Sequence, residues 1–518
     1  LDALFNNLKT EQMETIILPD CVTDTIVQHR EILKTLAAKL ELVPMASLAK
    51  QYDPHFDPQK TISKSDRHVY IAMHIGEEAI KNNWGICYSD GFIYLYNGSY
   101  WSVLSDDDLD FFLSEASVAI GIPVAHARHF AFSRELLMQF KKHFYKPAPD
   151  VTNRVLINFK TMTMEINKFN EMMETDGKMH IHLRCKDPND FLKYELSFDY
   201  DPGATCPIYD KFMDWAQADK KAQTLLHEYI GYCFTPNGMF NMEKILFNQG
   251  GGQNGKSTFR SVVTEMFGKC NVDAVSLSSL CDESGYFRAN LANCTINFCG
   301  DIGKERPNPD ILKTIASGEP LSVRQIRQKP VTLIYYAKLV FNCQFLPKEA
   351  EDSDGYYRRF LIVRWKSHMP EDHPDRDSTL AAQIVANELP GVFNRILNAL
   401  QSLMAMDRPA FTPCKDSEKA LQDYKEESDH VITFLNDMSF TVPTEGDPGR
   451  FYSNQDIADK YLEWCAKEDN IPEKERLSGI VFRKRLKNKG YTDIMFTENS
   501  VNTRGFFIAR VSIPELPF

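Results

Sequence analysis

The chain has 518 residues, with 59 Lys plus Arg against 71 Asp plus Glu and a formal net charge of −12. Hydrophobic residues make up 43% and charged residues 25%, ordinary proportions for folded globular protein, which excludes global disorder and collagen-like sequence. The acidic balance excludes a protein that coats nucleic acid with its whole surface, but not one that confines its cations to a pore or groove.

No run approaches the ~18 uninterrupted apolar residues of a spanning helix, so no membrane partner is expected. The 12 cysteines are dispersed without a C-x-x-C pair and read as reduced thiols in a cytoplasmic setting. The chain opens on Leu1 rather than Met, which reads as a piece of a longer protein.

Residues 1–65 read as a helical segment and linker, with apolar residues at helical spacing from Glu11 to Leu42 and breaks at Pro19 and Pro44. Residues 66–205 read as an α+β domain. Its aromatic-rich stretch Tyr88–Trp101 carries Asp90-Gly91 and Asn97-Gly98, the signals of tight antiparallel turns. Asp106, Asp107, Asp108 and Asp110 follow. They read as acids complementing the N-terminal dipole of a helix over Phe111–Ala119 rather than as a metal cluster. The pairs His126/His129 and His180/His182 each supply only half a metal site and read as surface or core histidines.

Residues 206–400 alternate short apolar runs with helical patterns, the α/β plan of a nucleotide-binding core. A polar stretch marks 401–429 as a linker. Residues 430–518 read helix, helix, hairpin, the order of a winged-helix-like module. Its helices are Ile457–Cys465 and Gly479–Lys489, and its strands Tyr491–Phe496 and Gly505–Val511.

The most specific motif is Gly250-Gly251-Gly252-Gln253-Asn254-Gly255-Lys256-Ser257-Thr258, a match to the phosphate-binding P-loop. It lies between the apolar run Ile245-Leu246-Phe247 and a helix-like stretch, as such a loop requires. Glycines let backbone N–H groups close around phosphate oxygens, and the helix N-terminus adds positive potential. Lys256 then neutralises the terminal phosphates of ATP and the Ser257 hydroxyl ligates Mg²⁺.

Thr295–Asp301 is an apolar run ending in acid, so Asp301 is the candidate for holding Mg²⁺ and positioning water, with Glu305 as a second acid. Lys338–Asn342 is a buried-looking strand ending in an amide, and Asn342 is the candidate γ-phosphate sensor. Arg358 and Arg359 precede another apolar run, and either is placed to act as an arginine finger on a neighbouring subunit. Between these lie Lys313 on a helix and Arg324, Arg327 and Lys329 in a β-compatible segment with a turn, suited to presenting cations to a phosphate backbone. In the tail, Arg483 and Lys487 share a helix face and are the candidates for duplex contact.

In that order the motifs resemble those of superfamily 3 helicases, specifically the phage/plasmid primase–helicase family with its poxvirus-type relatives. Leu226–Cys233 resembles the family's helix before the core, and Gly250–Thr258 its Walker A loop. Phe298–Ile302 resembles Walker B, and Lys313 with Ser317–Arg324 the B′ segment. Lys338–Asn342 resembles motif C, and Asp354–Phe360 the arginine-finger segment. Upstream, Val155–Phe159 and Leu196–Ala204 resemble the end of the helicase-preceding domain. The likeness spans roughly residues 70–370. Gly300 stands where many relatives have the first of two paired acids.

The resemblance implies an AAA+-like P-loop ATPase, typically a hexameric ring, that couples ATP hydrolysis to 3′→5′ movement on single-stranded or forked DNA. It also implies a primase or primase–polymerase domain further N-terminal, of which these residues carry no signature, and a cytoplasmic location in a bacterial host. The rival readings are an origin-binding initiator or loader whose ATPase controls assembly, and a P-loop ATPase acting on something other than DNA.

Overall fold

The computed structural model describes residues 29–147, 154–167, 181–240, 242–303, 306–325, 328–347, 353–374, 376–467, 471, 473, 476–498 and 501–510. The chain falls into two compact units. The first runs to residue 150 and takes in Lys186–Glu195; the second holds Val151–Cys185 and everything from Leu196 onward. The strands after residue 150 therefore belong with the second unit, and not with the 66–205 domain that the sequence suggests. Sequence neighbours do not reveal which sheet a strand packs beside.

In the first unit, helices α1 (His29–Lys39), α2 (Met45–Tyr52) and α3 (Lys64–Lys81) precede a meander of β1 (Gly85–Ser89), β2 (Phe92–Tyr96) and β3 (Trp101–Leu104). Asp90 and Gly91 both have positive φ, 51° and 86°, which is the primed turn that Asp-Gly favours. Helix α4 (Asp106–Ala119) begins earlier than its apolar pattern suggests. Ser105 caps it by accepting the Asp108 N–H at 3.0 Å, so the three aspartates form its first turn. With α5 (Phe130–His143) it closes a core built on Ile71, Ile75, Phe112, Leu113 and Leu136.

The second unit opens with an antiparallel sheet of β4 (Arg154–Asn158), β5 (Thr163–Asn167) and β6 (Ile181–Arg184), then helices α6 (Pro207–Ala216) and α7 (Lys220–Tyr232). The central sheet follows. In chain order it comprises β7 (Ile245–Gln249), helix α8 (Lys256–Phe267), β8 (Val272–Asp273), β9 (Ile296–Cys299) and helix α9 (Pro309–Ser317). Then come the short antiparallel hairpin β10 (Leu321–Val323) and β11 (Val331–Leu333), then β12 (Lys338–Cys343) and β13 (Phe360–Arg364).

The five parallel strands lie in the order β13-β7-β12-β9-β8, which is 5-1-4-3-2 in the sheet's own chain order. Strands covered on both faces read as continuous apolar runs, which is why these were legible. Phe247 stacks between Phe341 at 5.5 Å and Phe360 at 4.8 Å, fixing β7 between β12 and β13.

Helix α10 (Leu380–Met404) packs against α7 and α8. Residues 401–429, expected as a linker, are largely helix instead. Helix α11 (Lys415–Ser428) packs along β13, with Ala420 and Tyr424 buried and the Tyr424 hydroxyl donating to Pro347 O at 2.8 Å. Its exposed face is so polar that the few inward-facing residues are hidden in the composition.

Helix α12 (His430–Asp437), β14 (Phe440–Thr441), β15 (Arg450–Ser453), α13 (Asn454–Lys467), α14 (Gly479–Asn488), β16 (Asp493–Glu498) and β17 (Val501–Arg510) complete the chain. The final strands pair from Glu498↔Val501 to Asp493↔Phe506, so β17 begins earlier than its apolar run. β17 also pairs with β14 and β15.

Candidate nucleotide site

The loop Gly250–Gly255 joins β7 to α8 at the C-terminal edge of the parallel sheet. The backbone turns through Gln253 (φ 61°) and Gly255 (φ 91°), where glycine costs no Cβ strain. A Cβ on Gly255 would lie 2.9 Å from the Phe212 ring, and one on Gly250 2.6 Å from Trp365 O, so both glycines admit close neighbours. Gly251 and Gly252 face open space. Ser257 is exposed and Thr258 half-buried in the first turn of α8.

The Lys256 side chain folds back over its own loop. Its Nζ donates to Gly250 O at 2.7 Å, Gly251 O at 2.8 Å and Asn254 Oδ1 at 3.1 Å. Burial pulls the ammonium below its ordinary pKa, and nearby Cys343 and the Asp301 carboxylate oppose that. An incoming phosphate offers stronger, charged acceptors than these carbonyls.

Asn342 is the penultimate residue of β12, directly beside β7, and is in register with Asn248. Asn248 donates to Asn342 Oδ1 at 3.1 Å and accepts from Trp365 Nε1 at 3.1 Å. Asn342 Nδ2 in turn approaches Lys256 O at 3.4 Å. All three side chains are buried, so the relay Trp365–Asn248–Asn342 braces the start of α8 from below. Asn248 and Trp365 carried no assignment from sequence. The available signal was that Asn248 ends an apolar run just as Asn342 does.

Asp301 is exposed beyond the end of β9, at the same sheet edge. β12 lies between β9 and β7, so the amide strand, not the acid strand, is the immediate neighbour of the loop strand. Arg260, also unassigned from sequence, donates from Nε to Phe298 O at 2.9 Å. A Cβ on Gly300, which stands where many relatives have the first of two paired acids, would lie 3.2 Å from the Arg260 guanidinium. The Ser257 hydroxyl and Asp301 carboxylate are hard oxygen donors and fit Mg²⁺.

The two arginines have different surroundings. The Arg358 side chain is 60% exposed and pairs with Glu243 at 2.6 Å. That of Arg359 is 9% exposed. It donates to Gly355 O, to Ser317 Oγ at 3.0 Å and to Lys313 O at 3.4 Å. Lys313 is half-buried on α9 and pairs with Asp310 at 3.3 Å.

Arg324 and Lys329 are exposed in the connection of the β10–β11 hairpin, with the Arg324 guanidinium 5.8 Å from the Tyr286 ring centroid. Arg327, Glu305 and His180 lie outside the described residues, as do residues 1–28 of the N-terminal segment. In the tail, Arg483 Nε donates to Gly479 O at 2.9 Å and Lys487 pairs with Asp493 at 2.6 Å. Lys489 and Arg485 both pair with buried Asp429, the latter at 3.5 Å. Much of the charge on that helix is therefore neutralised within its own module.

A protein-family model described as "Family of unknown function (DUF5906)" matches residues 248–359, a span that contains the loop, Asp301, Asn342 and both arginines. No curated protein matches the chain. Among solved structures it is similar to the apo structure of the NrS-1 C-terminal region (305–718), at 11% identity over 85% of this chain and 99% of that one, with a TM-score of 0.48. The A-form apo structure of the NrS-1 C-terminal region gives 12% identity over 84% of this chain and 98% of that one, with a TM-score of 0.45. Similarity this loose leaves the fold to be read from the strands and loop themselves. Among the described residues no helix is long and apolar enough to cross a membrane.

Proposed function

We propose that this chain is an ATP-hydrolysing DNA helicase motor of the superfamily 3, AAA+-like type, the helicase part of a phage- or plasmid-type primase–helicase. It works as a ring, hexameric as in the family it resembles, moving 3′→5′ on single-stranded DNA. The observation that carries the reading is one sheet edge. The β7 loop with Lys256, the β12 amide Asn342 and the acid Asp301 converge there, on strands ordered 5-1-4-3-2.

In this reading Gly250–Thr258 cradles the ATP phosphates, and Lys256 leaves the loop carbonyls to meet them. Ser257 and Asp301 hold Mg²⁺, which neutralises phosphate charge when bound. Asn342 transmits phosphate occupancy through Lys256 and Asn248. Arg358 is the finger, because its exposure lets it reach a neighbouring subunit, whereas Arg359 is tied to α9. Arg324 and Lys329, exposed in the connection of the β10–β11 hairpin, meet the DNA backbone, and this reading adds Arg327 and Lys313 to them.

The tail's helix order supports a winged-helix-like module with Arg483 and Lys487 on its candidate DNA face. An initiator that binds duplex DNA would need a basic tail helix with free cations. With Asp429 and Asp493 pairing several of its cations, no observation now favours that reading. The test is strand displacement from forked DNA with ATP and each tail polarity, run beside Lys256→Ala and a mass measurement of the assembly. Displacement that requires Lys256 and a 3′ tail is expected. Equal ATP turnover by Lys256→Ala would sink the site assignment.

A further inference from the structure

A nucleotide held by the loop has two ends, and the motifs account for only one. On the proposed reading its terminal phosphate faces Asp301, just past β9, and Asn342, near the end of β12, both on one side of β7. β13 lies on the other side, and the chain that continues from it is the ground left for the sugar and base. That continuation, Trp365–Met369, is fastened along the loop. Trp365 N–H donates to Gln249 O at 2.7 Å, and Met369 N–H donates to Gln253 O at 2.9 Å. Asn254 Nδ2 donates to Trp365 O at 3.2 Å.

The same segment is stapled to the end of α6. Ser367 Oγ donates to Trp215 O at 2.6 Å, and Gln217 Nε2 donates to Arg364 O at 2.7 Å. Helix α6 in turn touches the loop through Phe212, whose ring abuts Gly255 and lies 6.5 Å from the Trp215 ring. Tyr209 and Phe212 of this helix are buried, but Trp215 keeps a partly exposed face, as does Met369. Trp215 and Met369, both partly exposed, thus stand on two segments pinned together beside the loop.

Resting on the ATP-binding reading above, we infer that Trp215 and Met369 form the seat of the nucleotide base. The indole stacks on the heterocycle and the flexible thioether packs against it. The Gln217 amide nitrogen and the Trp215 carbonyl are already engaged in holding the segments together. The seat therefore reads the size of the ring rather than its edge: ATP and GTP bind comparably, and CTP and UTP more weakly.

The test is direct binding of ATP and of inorganic tripolyphosphate to the full chain, measured calorimetrically. Trp215→Ala is expected to weaken ATP about tenfold or more, the usual worth of one base–aromatic stack, and to leave tripolyphosphate unchanged. Trp215→Phe should restore most of the loss, and Met369→Ala should show a smaller version of it. ATP binding left intact by Trp215→Ala would overturn the seat. So would equal losses for ATP and tripolyphosphate, which mark a structural role. If the unaltered chain binds neither ATP nor tripolyphosphate, the nucleotide reading itself fails along with the seat.

Discussion

Asn248→Ala tests the buried relay. Asn248 is 0% exposed and serves two buried groups, accepting from Trp365 and donating to Asn342. Its truncation leaves the indole N–H and the Asn342 oxygen without partners in a site closed to water. An orphaned buried polar group costs about 1–3 kcal/mol, so the pair predicts a loss of roughly 2–6 kcal/mol. Trp365→Phe removes the indole donor itself. The double variant therefore loses less than the sum of the two singles, by about 1–2 kcal/mol. The measurement is hydrogen exchange of β7 and β12 amides across the four proteins, because a chain of two compact units need not unfold in one step. Additivity within about 0.5 kcal/mol would show that Asn248 and Trp365 do not act together and would refute the relay.

Three further outcomes are expected. Arg358→Ala should cut ATP turnover and leave the melting temperature unchanged. Arg359→Ala should lower the melting temperature, by the equivalent of about 2–4 kcal/mol, because it orphans groups on α9 and around Glu243. Asp429→Ala should destabilise the C-terminal module by about 3 kcal/mol through its stranded partners Lys489 and Arg485, seen as earlier proteolysis of that module.

His227 sits 2.9 Å from the Tyr209 hydroxyl, and burial lowers its pKa from 6.5 to about 4. As pH falls from 6.5 toward 4, the unfolded chain takes up a proton that the folded chain refuses, so stability declines across that window. The ring keeps some solvent exposure, so roughly 2 kcal/mol is expected. His227→Gln should flatten that slope in pH-dependent melting.

Local physics was legible in the sequence. The Gly250–Thr258 loop is a backbone device, and two of its glycines, Gly250 and Gly255, mark where no Cβ fits. The continuous apolar runs of β7, β9, β12 and β13 announce strands covered on both faces. Asp90-Gly91 announces a primed turn. In each case the signal lies within a few residues of the structure it specifies.

Only the tertiary structure decided how distant segments meet. Spacing does not say that β12 lies between β7 and β9, since strand order depends on packing across nearly a hundred residues. Nor does it say that Asn248 and Trp365 share a hydrogen bond. Arg358 and Arg359 are adjacent and chemically identical, yet one faces solvent and the other α9. The tail helix looks like a basic patch until Asp429 and Asp493 come into place against it. The −12 charge excluded a coating protein from the outset. Which cations remain for a partner depended on which acids the fold had already brought to them, because charge acts through space and not along the chain.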